Sequence, residues 1–89
     1  MARFEVFIKP SAVKELERIP SKKDRQRIAT RIRSLADNPR PSGCQKLSGR
    51  DRYRIRRGVY RIVYSIRDEQ LIVVVIRVRH RKDIYRGTL

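Results

Sequence analysis

The chain has 89 residues, enough for one domain with a modest core. Its 24 Lys and Arg face only 9 Asp and Glu, a formal net charge of +15, so it is drawn to polyanions and repels copies of itself. The 39% hydrophobic content, arranged in periodic runs, excludes a disordered basic tail, and one cysteine, Cys44, excludes an internal disulfide or cysteine-built zinc site.

Phe4, Val6 and Ile8 alternate with Arg3, Glu5 and Lys9, which predicts a first strand with one buried face. Lys9-Pro10 ends it, and Ser11 is the expected cap of a short helix with Ala12, Val13, Leu16 and Ile19 on its apolar side. Pro20 stops that helix. Ser21 followed by Asp24 resembles a capping box and opens a longer helix through Ala36, so the two form a helical hairpin.

Residues 37–43 carry two prolines and a glycine and are read as a loop, which continues through Asp51. Three strands follow near residues 52–57, 59–67 and 70–79, with turns at Gly58 and at 67–70. The predicted fold class is α+β: a first strand, a helical hairpin, then a three-stranded antiparallel meander, with the helices covering one face of a small sheet. No boundary, repeat or linker divides residues 1–89. No apolar run nears the ~20 residues of a membrane span, and residues 1–5 lack a secretory layout. The expected location is cytoplasmic, with no membrane partner.

Strand parity separates two faces. On the third strand Arg61, Val63 and Ser65 oppose Tyr60, Ile62, Tyr64 and Ile66. On the last, Val73, Val75, Arg77, Arg79 and, if the strand extends, Arg81 oppose Ile72, Val74, Ile76 and Val78. Arg52, Arg54 and Arg56 oppose Tyr53 and Ile55. The apolar parities are expected to meet the helices. The arginines then share the uncovered face, with Val63, Val73 and Val75 between them. Arginine outnumbers lysine eighteen to six, and its planar fork suits phosphate. Like charges across strands destabilise a sheet unless an anion neutralises them. A nucleic-acid partner, RNA above all, follows.

The acidic residues are scattered and no metal-ligand spacing occurs, so neither a metal nor another cofactor is expected. RNA cleavage needs neither, because the 2′-hydroxyl is an internal nucleophile that must be aligned while charge on the phosphoryl oxygens is stabilised. His80 is the candidate acid/base near neutral pH, although parity with Val78 turns it away from the arginines.

Lys46-Leu47-Ser48-Gly49, Arg52-Tyr53-Arg54-Ile55-Arg56, Gly58 to Tyr64, and Arg79-His80-Arg81-Lys82-Asp83-Ile84-Tyr85-Arg86 resemble the RelE family of toxin nucleases. The resemblance also covers Phe4-Glu5-Val6, the two helices and Asn38-Pro39. It implies a single RelE-like toxin domain from a type II toxin–antitoxin pair. It implies metal-free cleavage of mRNA in the ribosomal A site by 2′-hydroxyl attack. Carried over by motif, Arg54, Arg56, Arg61, Arg81 and Tyr85 are the catalytic set. Lys46, Arg52, Arg77, Arg79 and Lys82 are the surrounding RNA-binding charge. The implied partners are a cognate antitoxin, ribosomal RNA and A-site mRNA, with operator DNA reached only through the antitoxin complex. Some family members carry lysine where Arg54 and Arg56 stand; arginine keeps its proton, so neither position is read as a general base. The alternatives are a ParE-like gyrase poison on the same scaffold and a non-catalytic RNA- or ribosome-binding protein.

Overall fold

A computed structural model describes residues 3–47 and 51–84. Strand β1 (Glu5–Ile8) leads into helices α1 (Pro10–Glu17) and α2 (Lys22–Ser34). Then come a two-residue strand β2 (Gln45–Lys46), β3 (Tyr53–Arg57), β4 (Tyr60–Arg67), β5 (Ile72–His80) and a terminal helical turn α3 (Arg81–Ile84). The α+β class and the meander are as the sequence predicts. The loop expected through Asp51 instead holds β2.

Helix α1 begins one residue before the expected cap. Lys9 is its extended N-cap and Pro10 occupies the first turn, where a missing N–H costs nothing. Helix α2 starts as predicted: Ser21 Oγ accepts from the Asp24 amide at 3.2 Å. It ends at Ser34, with Leu35 as C-cap, two residues short of Ala36.

The sheet order is β1-β5-β4-β3-β2. β1 runs parallel to β5, and the other neighbours are antiparallel. Gly58, at φ +61, makes the β3–β4 turn, where a side chain would be strained. A 3-10 turn at Asp68–Gln70 joins β4 to β5.

Both helices cover one face. Ala12, Ile19, Ile28, Ile32 and Leu35 meet Tyr53, Ile55, Ile62, Tyr64, Ile66, Val73, Val75 and Val78 in one core. The presence of Val73 and Val75 in that core corrects their predicted place among the arginines. The cause is a bulge: Tyr64 pairs with Val75 and Val63 with Arg77, so Ile76 is an extra residue and parity reverses there.

The loop before β2 is tied down from both sides. Tyr64 donates from its hydroxyl to the Pro39 carbonyl at 2.7 Å, beside Cys44 Sγ at 3.3 Å. Burial pushes the Tyr64 phenol well above its ordinary range, so it stays a donor at any physiological pH. Outside, Arg40 lies over the Tyr53 ring and grips Asp68 through two bonds of 2.9 and 2.8 Å. Arg40 holds the Asp68 carboxyl below its ordinary range.

Two outcomes follow. Tyr64→Phe leaves the Pro39 carbonyl without its donor and should cost ~1–3 kcal/mol in urea unfolding. Asp68 is stabilised in its charged form, so its contribution is complete above an unfolded pKa of ~3.9. That contribution is lost as pH falls through the lower folded value. The melting-temperature gap between the unmodified chain and Asp68→Asn should therefore hold near neutrality and close on strong acidification.

Candidate nucleic-acid interface

The face opposite the helices carries the arginines in strand register. Arg79, Arg61 and Arg56 are successive cross-strand partners on β5, β4 and β3. The next row is Arg77, Val63 and Arg54, with Gln45 of β2 beside Arg54. With strands ~4.8 Å apart, the first row sets three guanidinium-bearing residues across ~10 Å.

Arg61 stands at its centre and is only 6% exposed. Neither its Nε nor its Nη1 has a hydrogen-bond partner. Among the described residues no carboxylate lies within ion-pair distance of Arg61 or Arg56. A buried cation without a counter-charge costs several kcal/mol, and two buried donors without acceptors add to that cost. An anion laid over the row would relieve both.

Among the described residues, the ion pairs to the arginine rows come from one acid of the helix layer, Glu15. β1 stops at Ile8 because Pro10 follows, so the outer edge of β5 has no strand partner beyond the Lys9–Val75 bond of 2.9 Å. α1 packs along β5 there. Glu15 accepts from the Val78 amide through Oε1 at 3.0 Å, in place of the missing strand. Its Oε2 lies 2.9 Å from Arg79 Nε, an ion pair without hydrogen-bond alignment, and 3.6 Å from Arg77 Nη1. Glu15 therefore satisfies the edge of β5 and restrains two arginines at once. The sequence reading passed over it; its signal was a lone acid on the apolar side of α1, one residue before Leu16.

The other candidates divide. Arg54 donates to Gln45 Oε1 across β3–β2. Arg52 precedes β3 and lines a depression on the open face with Ser65 and Val74. Lys46 pairs with Tyr53, so it stands exposed at the sheet edge and on the helix-side parity, outside the rows. The strand does not extend to Arg81: it ends at His80, and Arg81 opens α3 with its amide on the Val59 carbonyl at 2.7 Å. Arg81 and Lys82 are exposed at that end of the sheet. Tyr85 lies outside the described residues. His80 sits on the helix-side face, edge-on to Tyr60 with ring centroids 5.4 Å apart. Its Nδ1 accepts from the Lys82 amide at 3.1 Å, which leaves a neutral ring's proton on Nε2.

Val63, between Arg54 and Arg77, is buried and offers no exposed apolar surface. Among the described residues no group of three or more His, Cys, Asp or Glu could hold a metal ion, and no helix is long and apolar enough to cross a membrane. The arrangement can take a phosphate on a preformed cationic row and stabilise charge that grows on its oxygens.

Residues 6–85 match the family described as the ParE toxin of the type II toxin–antitoxin system parDE. The chain is 33% identical over 87 residues to a RelE-like toxin protein of Escherichia coli, covering 93% of this chain and 90% of that protein. A 31-residue stretch, 35% of this chain and 36% of the relative, is 61% identical to toxin RelG of Mycobacterium tuberculosis. Among solved structures, the fold superposes on the toxin–antitoxin complex RelBE2 of Mycobacterium tuberculosis with a TM-score of 0.78 and 27% identity, over 89% of this chain and 99% of that one. For the intact Escherichia coli RelBE complex the TM-score is 0.73 at 29% identity, over 89% and 96%.

Removing the Glu15 clamp leaves the Val78 amide unsatisfied and Arg77 and Arg79 unrestrained. Glu15→Ala should cost ~1–3 kcal/mol. In hydrogen exchange, Val78 should lose protection before Val73, which keeps its β1 partner.

Proposed function

The chain belongs to the ParE toxin family of type II toxin–antitoxin systems, in the RelE/ParE superfamily, and on that premise we propose that it is a ribosome-dependent mRNA endoribonuclease. The observation that carries this reading is Arg61: a guanidinium buried in an arginine row, with donors that no protein group uses. A scaffold that only bound another protein's surface would have no need of so costly a group at the centre of its sheet.

In the proposed reaction the phosphate next to the scissile bond lies over Arg79, Arg61 and Arg56. The 2′-hydroxyl attacks the adjacent phosphorus, the bond to the 5′-oxygen breaks, and a 2′,3′-cyclic phosphate and a free 5′-hydroxyl result. One proton leaves the 2′-oxygen and one reaches the 5′-oxygen. Arg61 stabilises the charge that grows on the phosphoryl oxygens; its rigidity and low-dielectric setting raise that effect. Arg54 and Arg56 bind and orient the strand, because arginine keeps its proton. Arg81 and Tyr85 retain the roles of charge stabiliser and nucleotide contact that the family motif implies. His80, across the sheet from the row, is not assigned the proton transfer. The ribosome supplies an aligned A-site strand, and the cognate antitoxin, an acidic chain, blocks the cationic face.

A second reading, a ParE-like poison of DNA gyrase, is favoured by the family match itself and by the position of His80 away from the row. Primer extension on translated mRNA, run beside a gyrase supercoiling assay, separates the two. The proposal expects codon-spaced cleavage and normal supercoiling. Arg61→Ala should lower the cleavage rate ~100- to 1000-fold. The volume-matched Arg61→Met should leave stability unchanged or raised, because it replaces an unpaired buried charge with an apolar side chain of similar size. Full cleavage by Arg61→Ala, or loss of supercoiling without cleavage, would overturn the reading.

A further inference from the structure

The bulge that turns Arg77 and Arg79 outward also leaves apolar residues on the open face below them. Val74 pairs in register with Ser65 on β4 and Phe7 on β1, so all three stand on the arginine side of the sheet. Ile76, the bulge residue, is 9% exposed and lies outside the helix-side core. Ser65, Val74 and Ile76 line a depression of about 360 Å³ whose other residues include Lys9, Arg52 and Arg67. Phe7, at its β1 side, is 49% exposed, the most exposed large apolar residue among those described. A lone exposed ring would be ordinary, but Phe7 continues the apolar surface of Val74 and Ile76 on an otherwise charged face, and it is a contiguous apolar patch that marks a contact site.

We infer that Phe7, Val74 and Ile76 form a platform for a nucleobase of the single-stranded RNA whose phosphate sits on the arginine rows; the inference rests on the nuclease reading above. Along β5, Val74 is three residues from Arg77, ~10 Å, and along β4 Ser65 is four from Arg61, ~13 Å. A strand lying along β4 and β5 therefore reaches the platform within a short run of nucleotides. Single-stranded RNA alternates an anionic backbone with flat apolar bases, and proteins bind it with cationic grooves beside stacking surfaces. This face is divided in the same way: two arginine rows, then an apolar floor with Lys9, Arg52 and Arg67 around it. Asp51, the one carboxylate lining the depression among the described residues, disfavours a phosphate there and offers an acceptor to a base amino group. The occupant that fits floor, cations and acid together is a base, with its own phosphates held by the surrounding cations.

The test uses the full chain freed of antitoxin and short 2′-deoxy oligonucleotides, which bind without being cut, with one abasic site moved through each position. For the unmodified protein, one position a short distance from the Arg61-bound phosphate should lose about tenfold in affinity when abasic. Phe7→Ala, at an exposed site that leaves the core intact, should lose about as much on the intact oligonucleotide and give a flat abasic profile. Its log–log salt slope should not change, while Arg61→Ala should keep the abasic profile and flatten that slope by about 0.7. Phe7→Trp should restore binding.

A flat profile in the unmodified protein overturns the platform, as does a Phe7→Ala variant that weakens antitoxin binding alone. The two readings fail separately. Absence of mRNA cleavage with a positional base effect sinks the nuclease and leaves the platform; cleavage with a flat profile does the reverse.

Discussion

The β5 side of the candidate interface depends on the one-residue bulge at Ile76. In β5 the apolar pair Val73 and Val75 and the charged pair Arg77 and Arg79 share one alternation. A regular strand would send all four to the same side. Two arginines against Ile28 and Ile32 would cost several kcal/mol each, and two valines in water would forfeit ~1.5–3 kcal/mol each of burial. The extra residue resolves the conflict: Val73, Val75 and Val78 all reach the core, and both arginines reach the open face. The conflict was legible in the sequence, in the way hydrophobicity and charge occupy a single parity. Its resolution was not, because a bulge can fall at any of several residues and pairing with β4 selects one.

Features of the fold divide by whether a local signal or a long-range pairing sets them. Strands β1, β3, β4 and β5, the two helices and the Ser21 cap rest on local signals, alternation, 3.6-residue spacing and capping chemistry, and were readable, whereas the two-residue β2 is too short to carry an alternation. The parallel pairing of β1 with β5 joins residues some 67 positions apart, Glu5 with Ile72, and no local signal encodes it. That pairing gives Phe7 and Glu15 their meaning. Phe7 stands on the open face beside Val74 of β5, and Glu15 takes the Val78 amide that the early end of β1 leaves without a strand partner. Arg81 failed to join the rows for a local reason: the backbone turns into α3 at that residue, bound to Val59.

Electrostatics then sets the terms on which the fold holds its charge. Arg40 and Asp68, like Glu15 with Arg77 and Arg79, are exposed or rim pairs that balance charge with modest energies. Arg61 differs from every other cation described, because the fold desolvates it and gives it no acid. A neutralising carboxylate would stabilise the isolated chain but would also fill the position a phosphate needs. The cost of an unpaired buried arginine is therefore the condition for a strong anion site, and binding energy returns when an anion arrives.

The two superfamily activities place different demands on this face. The helices, core and sheet order are shared by chains with different targets, so they cannot decide between an RNA strand and a protein surface. A protein target needs complementary area, which a flexible exposed arginine on any strand could help provide. A scissile phosphate needs donors fixed within a fraction of an ångström, because misplacement of that order erodes transition-state stabilisation. Burial is what fixes them. Arg61, buried between Arg56 and Arg79 in register, meets that demand of the proposed phosphoryl chemistry better than an exposed side chain would.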